Sequence, residues 1–135
     1  MSLLHRLLSC ALPIMMMGLF AGVADAFDLS GAWTPQLPLC GKVFKKIGKR
    51  VTLTTASDLY GGGFIIDGDR VRGKAVRCRI DSRKEDGPVI HLSIACTTEV
   101  ATEQIQFDLK VVNDDTVSKT FPGTDIGMDY HRCTL

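Results

Sequence analysis

The chain has 135 residues, of which 45% are hydrophobic and 23% charged, with a formal net charge of +1. That length excludes a multidomain protein. The apolar share allows a core small enough that covalent staples matter to its stability. The near-zero net charge hides an uneven distribution: Cys40–Lys84 holds twelve Lys and Arg against four Asp, and Glu85–Leu135 holds three basic residues against nine acidic ones.

The first segment reads as an export signal. Met1–Arg6 is a short basic n-region and Leu7–Val23 is almost wholly apolar. Ala24-Asp25-Ala26 is a small-x-small cleavage pattern. A membrane anchor would need about 20 apolar residues, and this run is shorter and interrupted by Pro13. Leu7-Leu8-Ser9-Cys10 faintly resembles a lipobox, but too little apolar sequence precedes Cys10. The expectation is a cleaved signal peptide over 1–26 and one domain over 27–135. No transmembrane segment is expected after signal removal, and the location is periplasmic or secreted.

Beyond residue 27 no helical periodicity is visible, and turn signals recur every 8 to 12 residues. Asp28-Leu29-Ser30-Gly31-Ala32-Trp33 carries the only tryptophan. Pro35 and Pro38 predict an extended, non-helical lead-in to Cys40. Val43–Lys49 and Arg50–Thr55 read as a strand pair, and Gly61-Gly62-Gly63 as a bent or mobile connection. Phe64-Ile65-Ile66 ends at Asp67-Gly68, a hairpin signal. Arg70–Ile80 reads as one amphipathic strand with a bulge at Gly73, its apolar face Val76, Cys78 and Ile80, its outer face Arg77 and Arg79. Ser82–Pro88 reads as a polar loop. Ile90–Cys96, Ile105–Val111, Val117–Phe121 and Met128–Thr134 supply the remaining strands, separated by turns at Thr97–Glu103, Asn113-Asp114-Asp115 and Pro122-Gly123. About eight strands without a crossover helix predict an all-β fold, a small antiparallel up-and-down barrel that hides its own edges.

Four cysteines, Cys40, Cys78, Cys96 and Cys133, remain after the signal, an even count that implies two disulfides in an exported domain. Three connectivities are open. The meander favours Cys78–Cys96, on the apolar faces of strands flanking one loop, and Cys40–Cys133, at its two ends.

Gly31-Ala32-Trp33 near the start of the domain resembles the Gly-x-Trp motif of lipocalins and related calycin barrels. That resemblance implies a basic residue from the last strand lying across the indole to close one end of the barrel, a place that Arg132 fills. The chain is shorter than a typical lipocalin and shows no C-terminal helix. Its size is nearer to the small periplasmic barrel inhibitors of secreted zinc metalloproteases, which insert a free N-terminal segment into the enzyme; here few residues precede Trp33.

No convergent set of acid, base and nucleophile is visible, and no catalytic, cofactor or metal residue is assigned. Asp129 and His131 share a strand face, but no serine has an activating context. His91, Ser93 and Ser118 read as ordinary strand residues. Gly61–Gly63 lacks the lysine and strand-to-helix setting of a phosphate loop. Asp67-Gly68-Asp69 lacks the rest of a calcium loop. The basic set is more suggestive: Lys42, Lys45, Lys46, Lys49 and Arg50 on one hairpin, with Arg70, Arg72, Lys74, Arg77 and Arg79 on the next strand. Lys45, Lys46, Lys49, Arg77 and Arg79 are the candidate contacts to an anionic lipid or polysaccharide. No aromatic ladder accompanies them, so nucleic acid is not the expected partner. The expectation is a non-enzymatic binding module, without cofactor, for a small apolar ligand or an anionic envelope surface. The alternative is a small inhibitor of a secreted hydrolase. A protein partner, or self-association of basic against acidic wall, is a further option.

Overall fold

The computed structural model describes residues 25–135; the expected signal segment falls almost wholly outside them. After an extended lead-in the chain forms β1 (Gly31–Thr34) and then leaves the barrel for an insertion. The insertion holds a 3-10 turn (Leu37–Leu39), one helical turn α1 (Cys40–Val43), a hairpin of β2 (Phe44–Ile47) and β3 (Arg50–Leu53), and a second 3-10 turn (Ser57–Tyr60). The chain returns as β4 (Phe64–Asp67), β5 (Arg70–Arg72), β6 (Arg77–Asp86), β7 (Val89–Thr97), β8 (Thr102–Asn113), β9 (Thr116–Thr120) and β10 (Gly127–Cys133). These seven pair in sequence order, all antiparallel, and β1 slots between β4 and β10 to close an eight-stranded barrel. No helix among the described residues is long and apolar enough to cross a membrane.

The predicted fold class holds, with a different membership. The two strands expected at 43–55 form a separate two-stranded sheet outside the barrel. Their places are taken by β1 and by the division of Arg70–Ile80 into two strands. Gly73 marks that division as a turn instead of a bulge: its N–H donates to the Val76 carbonyl at 2.9 Å. A Cβ on Gly73 would lie 2.7 Å from Val76 Cγ1, so a side chain there would force Val76 to shift. Of the loop expected over Ser82–Pro88 only Gly87-Pro88 is a turn. Strand β6 continues to Asp86, paired residue for residue with β7 after a register shift between Ile80 and Ser82. Cross-strand partners decide strand structure where local composition argues for coil. The lead-in to Cys40 is likewise helical, because proline's fixed φ and missing N–H suit the first residues of a helical turn.

Alternation gives the barrel an inside and an outside. Trp33, Ile66, Val71, Ile90, Leu92, Ile94, Phe107, Leu109 and Val117 fill the interior together with Leu29 from the lead-in. On the outer wall, Ala32, Ile65 and Cys133, adjacent in register across β1, β4 and β10, pack against Val43 and Phe44 of the insertion. Both expected disulfides are present. Cys78–Cys96 joins directly opposed residues of β6 and β7, whereas Cys40–Cys133 fastens α1 to the outer wall at β10.

Candidate functional site

In an up-and-down barrel successive connections alternate between the two ends, so each end has its own chemistry. One end is closed. Trp33 and Arg132 are directly opposed across β1 and β10, and the guanidinium carbon lies 4.4 Å from the indole centroid. The guanidinium also donates to the carbonyls of Ser30, Asp28 (2.8 Å) and Asp114 (3.0 Å) and pairs with Asp115 at 3.3 Å. Trp33 is fully buried and its indole N–H donates to the Leu29 carbonyl at 2.9 Å. The lead-in is thereby folded over this end as a lid. Asp28 caps Ser30 N–H at 2.8 Å, and that hydrogen bond, helped by Arg132, holds its carboxyl below the usual range.

The other end is open. A cavity of about 260 Å³ lies there, lined by Phe64, Ile66, Ile94, Ile105, Phe107 and Leu109 among other apolar residues. Lys119 and Phe121 complete the lining, and Phe121 is half exposed, so the cavity reaches the surface beside it. Lys119 is on the inner face because it alternates with Val117. Its ammonium sits 4.9 Å from the Phe107 centroid and 5.2 Å from that of Phe121. Among the described residues it forms no ion pair, and burial lowers its pKa. The connections of this end expose Leu59, Val100, Phe121 and Ile126. Gly63 is wedged between barrel and insertion: a Cβ there would run into the Trp33 carbonyl oxygen of β1 and meet Phe44 Cζ at 2.7 Å. Gly63 is therefore packed down, whereas Gly61 is exposed and a Cβ on Gly62 would meet nothing within 4 Å.

A third feature flanks the open end. Between the β2–β3 hairpin and the outer wall of β5 and β6 runs a groove of about 940 Å³ lined by Arg50, Arg70, Arg72, Lys74 and Arg77, with Glu99 as its one acidic residue. Thr52, Thr54, Thr55, Thr97 and Thr98 supply hydroxyl groups. Register sets Arg70 opposite Arg79 and Arg72 opposite Arg77, like-charge pairs that destabilise a sheet unless something neutralises them. Arg79 has Asp81 at 3.4 Å and Lys74 has Asp58 at 2.6 Å. Among the described residues Arg50, Arg70, Arg72 and Arg77 have no carboxylate within 4.0 Å. Arg72 Nη2 does reach the Val51 carbonyl at 3.4 Å, which ties the hairpin to the wall.

Of the five basic residues singled out from sequence, the structure places Arg77 in this groove. Arg79 stands beside it, and Lys45, Lys46 and Lys49 sit on the hairpin away from its lining. Lys46 donates to the Leu135 carbonyl at 3.3 Å. Arg50, Arg70, Arg72 and Lys74 belonged to the basic set in the sequence, but nothing there ranked them above the lysines. The ranking follows from the split at Gly73, which folds Arg72 opposite Arg77.

The two histidines among the described residues are engaged locally. His91 Nδ1 lies 2.6 Å from Asp108 across β7 and β8, and His131 Nδ1 is 3.2 Å from Thr116 Oγ1. The Ser93 hydroxyl accepts from Gln104 at 2.8 Å. Among the described residues no three His, Cys, Asp or Glu side chains gather as a metal-binding group would require.

Fold and site together define a closed, disulfide-bonded antiparallel barrel, lidded at one end, with an apolar cavity at the other. Comparison with protein-family models, with curated proteins and with solved structures finds no match to this chain.

Proposed function

We propose that the protein is an exported, non-enzymatic, calycin-like binding module that holds a small apolar ligand in the open end of its barrel. The observation that carries this reading is the cavity itself. Interiors pack close to crystal density, with few voids larger than a water molecule, yet this barrel keeps about 260 Å³ bounded by aliphatic and aromatic side chains at its open end. Apolar walls with a single polar group are the usual make-up of a small-molecule site. Two disulfides favour an oxidising compartment, in line with a periplasmic or secreted location.

The neutral probe N-phenyl-1-naphthylamine tests the reading. Its fluorescence should rise on titration with the protein and saturate at one equivalent. The rise should be absent from Ile105→Trp, which fills the cavity from β8. A wild-type protein that leaves the probe dark would end this proposal.

A further inference from the structure

The apolar cavity and the arginine groove share lining residues: Val71, Gly73, Val76 and Cys78 border both. The wall between them is the β5–β6 pair, with its apolar residues turned inward and its arginines outward. It ends at the open rim in the Gly73–Val76 turn. Arg72 and Arg77 are the opposed pair next to that turn, and Lys74 sits on it. A molecule leaving the cavity over this rim therefore meets cationic groups at once.

Size points the same way. At about 260 Å³ the cavity falls below the roughly 300–1,000 Å³ of sites that bury a whole drug-sized ligand. It equals the liquid volume of about nine water molecules, room for a short acyl chain and little else. The rest of a larger ligand must lie outside, and the adjoining surface is charged.

From this juxtaposition we infer that the ligand is an anionic amphiphile: an alkyl chain fills the cavity, and a phosphate headgroup crosses the Gly73–Val76 rim to lie on Arg72 and Arg77. This rests on the proposed function and names the chemical class of its ligand. Guanidinium forks match phosphate oxygens two at a time. A dianionic headgroup would also relieve the repulsion of the facing Arg72–Arg77 pair, for which no carboxylate among the described residues lies within 4.0 Å. The groove holds threonine hydroxyls and no aromatic ring, a lining suited to a phosphate ester and unsuited to stacking bases.

The test is displacement of N-phenyl-1-naphthylamine at low salt by decyl phosphate, decanol and inorganic phosphate. Wild type, Arg72→Gln/Arg77→Gln, Arg77→Gln and Lys119→Met are compared, each with a melting curve to establish that it is folded. Decyl phosphate should bind wild type at least about tenfold more tightly than decanol, the worth of one charge-assisted hydrogen bond. That advantage should vanish in the double variant, shrink in Arg77→Gln and survive in Lys119→Met. Decanol affinity should stay level in the two arginine variants. Equal affinity for decyl phosphate and decanol in wild type would overturn the headgroup assignment while leaving the cavity reading intact, and displacement by neither would overturn both. Loss of the advantage in Lys119→Met with the arginine variants unaffected would overturn it in favour of the cavity lysine. Inorganic phosphate as potent as decyl phosphate would overturn it, because the alkyl chain would then contribute nothing to binding.

Discussion

Among the described residues Lys119 is the one charged side chain in the lining of the barrel cavity; no role was assigned to it from sequence, although Val117, Lys119 and Phe121 recur at period two, the spacing of a single strand face. Its lack of a carboxylate was not legible, because the acidic half of the chain offers many that the fold directs elsewhere. Burial disfavours the ammonium in the folded protein, so the folded pKa lies below the unfolded one. Between those two values the unfolded chain binds more protons, and stability therefore rises with pH. Lys119→Met removes this dependence. At neutral pH the variant should melt higher by on the order of a few degrees. Wild type should then recover the difference as pH climbs toward about 10.4, the ordinary lysine value. Thermal scans of both proteins from pH 7 to 11 check this, and a gap that widens with pH would contradict it.

Among the elements, the insertion between β1 and β4 is where sequence reading and structure part most. The pattern Val43–Thr55 correctly reads as two antiparallel strands. Period-two alternation says that a strand has two faces; it does not say which sheet the strand joins. Phe44 and Val43 could equally have turned into the barrel. What decides otherwise is the outward apolar trio Ala32, Ile65 and Cys133, scattered over three strands whose adjacency only the closed topology creates. Ser82–Asp86 escaped for a related reason: Arg83, Lys84, Glu85 and Asp86 have no strand preference of their own and are held by β7 across the ladder. The turn pairs Asp67-Gly68 and Asn113-Asp114-Asp115, by contrast, carry their instruction locally and were readable. The insertion depends on its disulfide. The Cys40–Cys133 bridge spans 93 residues and Cys78–Cys96 spans 18. In the chain-entropy description the first should contribute roughly 4–5 kcal/mol and the second about 3. Cys40→Ala/Cys133→Ala should therefore lose more stability in urea unfolding than Cys78→Ala/Cys96→Ala. It should also speed amide hydrogen exchange first in Phe44–Leu53, while β6–β8 stay protected. Uniform acceleration across the barrel would mean that the bridge holds the cylinder and not its cover.

At the scale of the whole molecule the barrel sorts by end a chain that looked sorted by half. The turns of the closed end, at Asp67-Gly68-Asp69, Asp86-Gly87 and Asp114-Asp115, are short and acidic. The connections of the open end expose Leu59, Val100, Phe121 and Ile126. One end is shut by the chain's own lead-in, and the other exposes apolar side chains around the mouth of the cavity. Independence of the two ends has a measurable consequence at Arg132. Its guanidinium covers the Trp33 ring and joins the carbonyls of Asp28, Ser30 and Asp114 at the same time, which only a planar fork with five donors can do. A lysine keeps the charge and reaches at most one or two of these acceptors, so the 27–30 lid is left with the hydrogen bonds from Trp33 to Leu29 and from Arg83 to Phe27. Arg132→Lys should cost about 1–3 kcal/mol, the range for leaving buried or charged hydrogen-bond partners unmet, read as a lower urea midpoint with an unchanged slope. Sites that share no partners respond additively. N-phenyl-1-naphthylamine should accordingly bind the folded variant with wild-type affinity at the far end of the barrel. Unaltered stability would remove Arg132 from the closure, and weakened probe binding in a fully folded variant would mean that the closed end governs the open one.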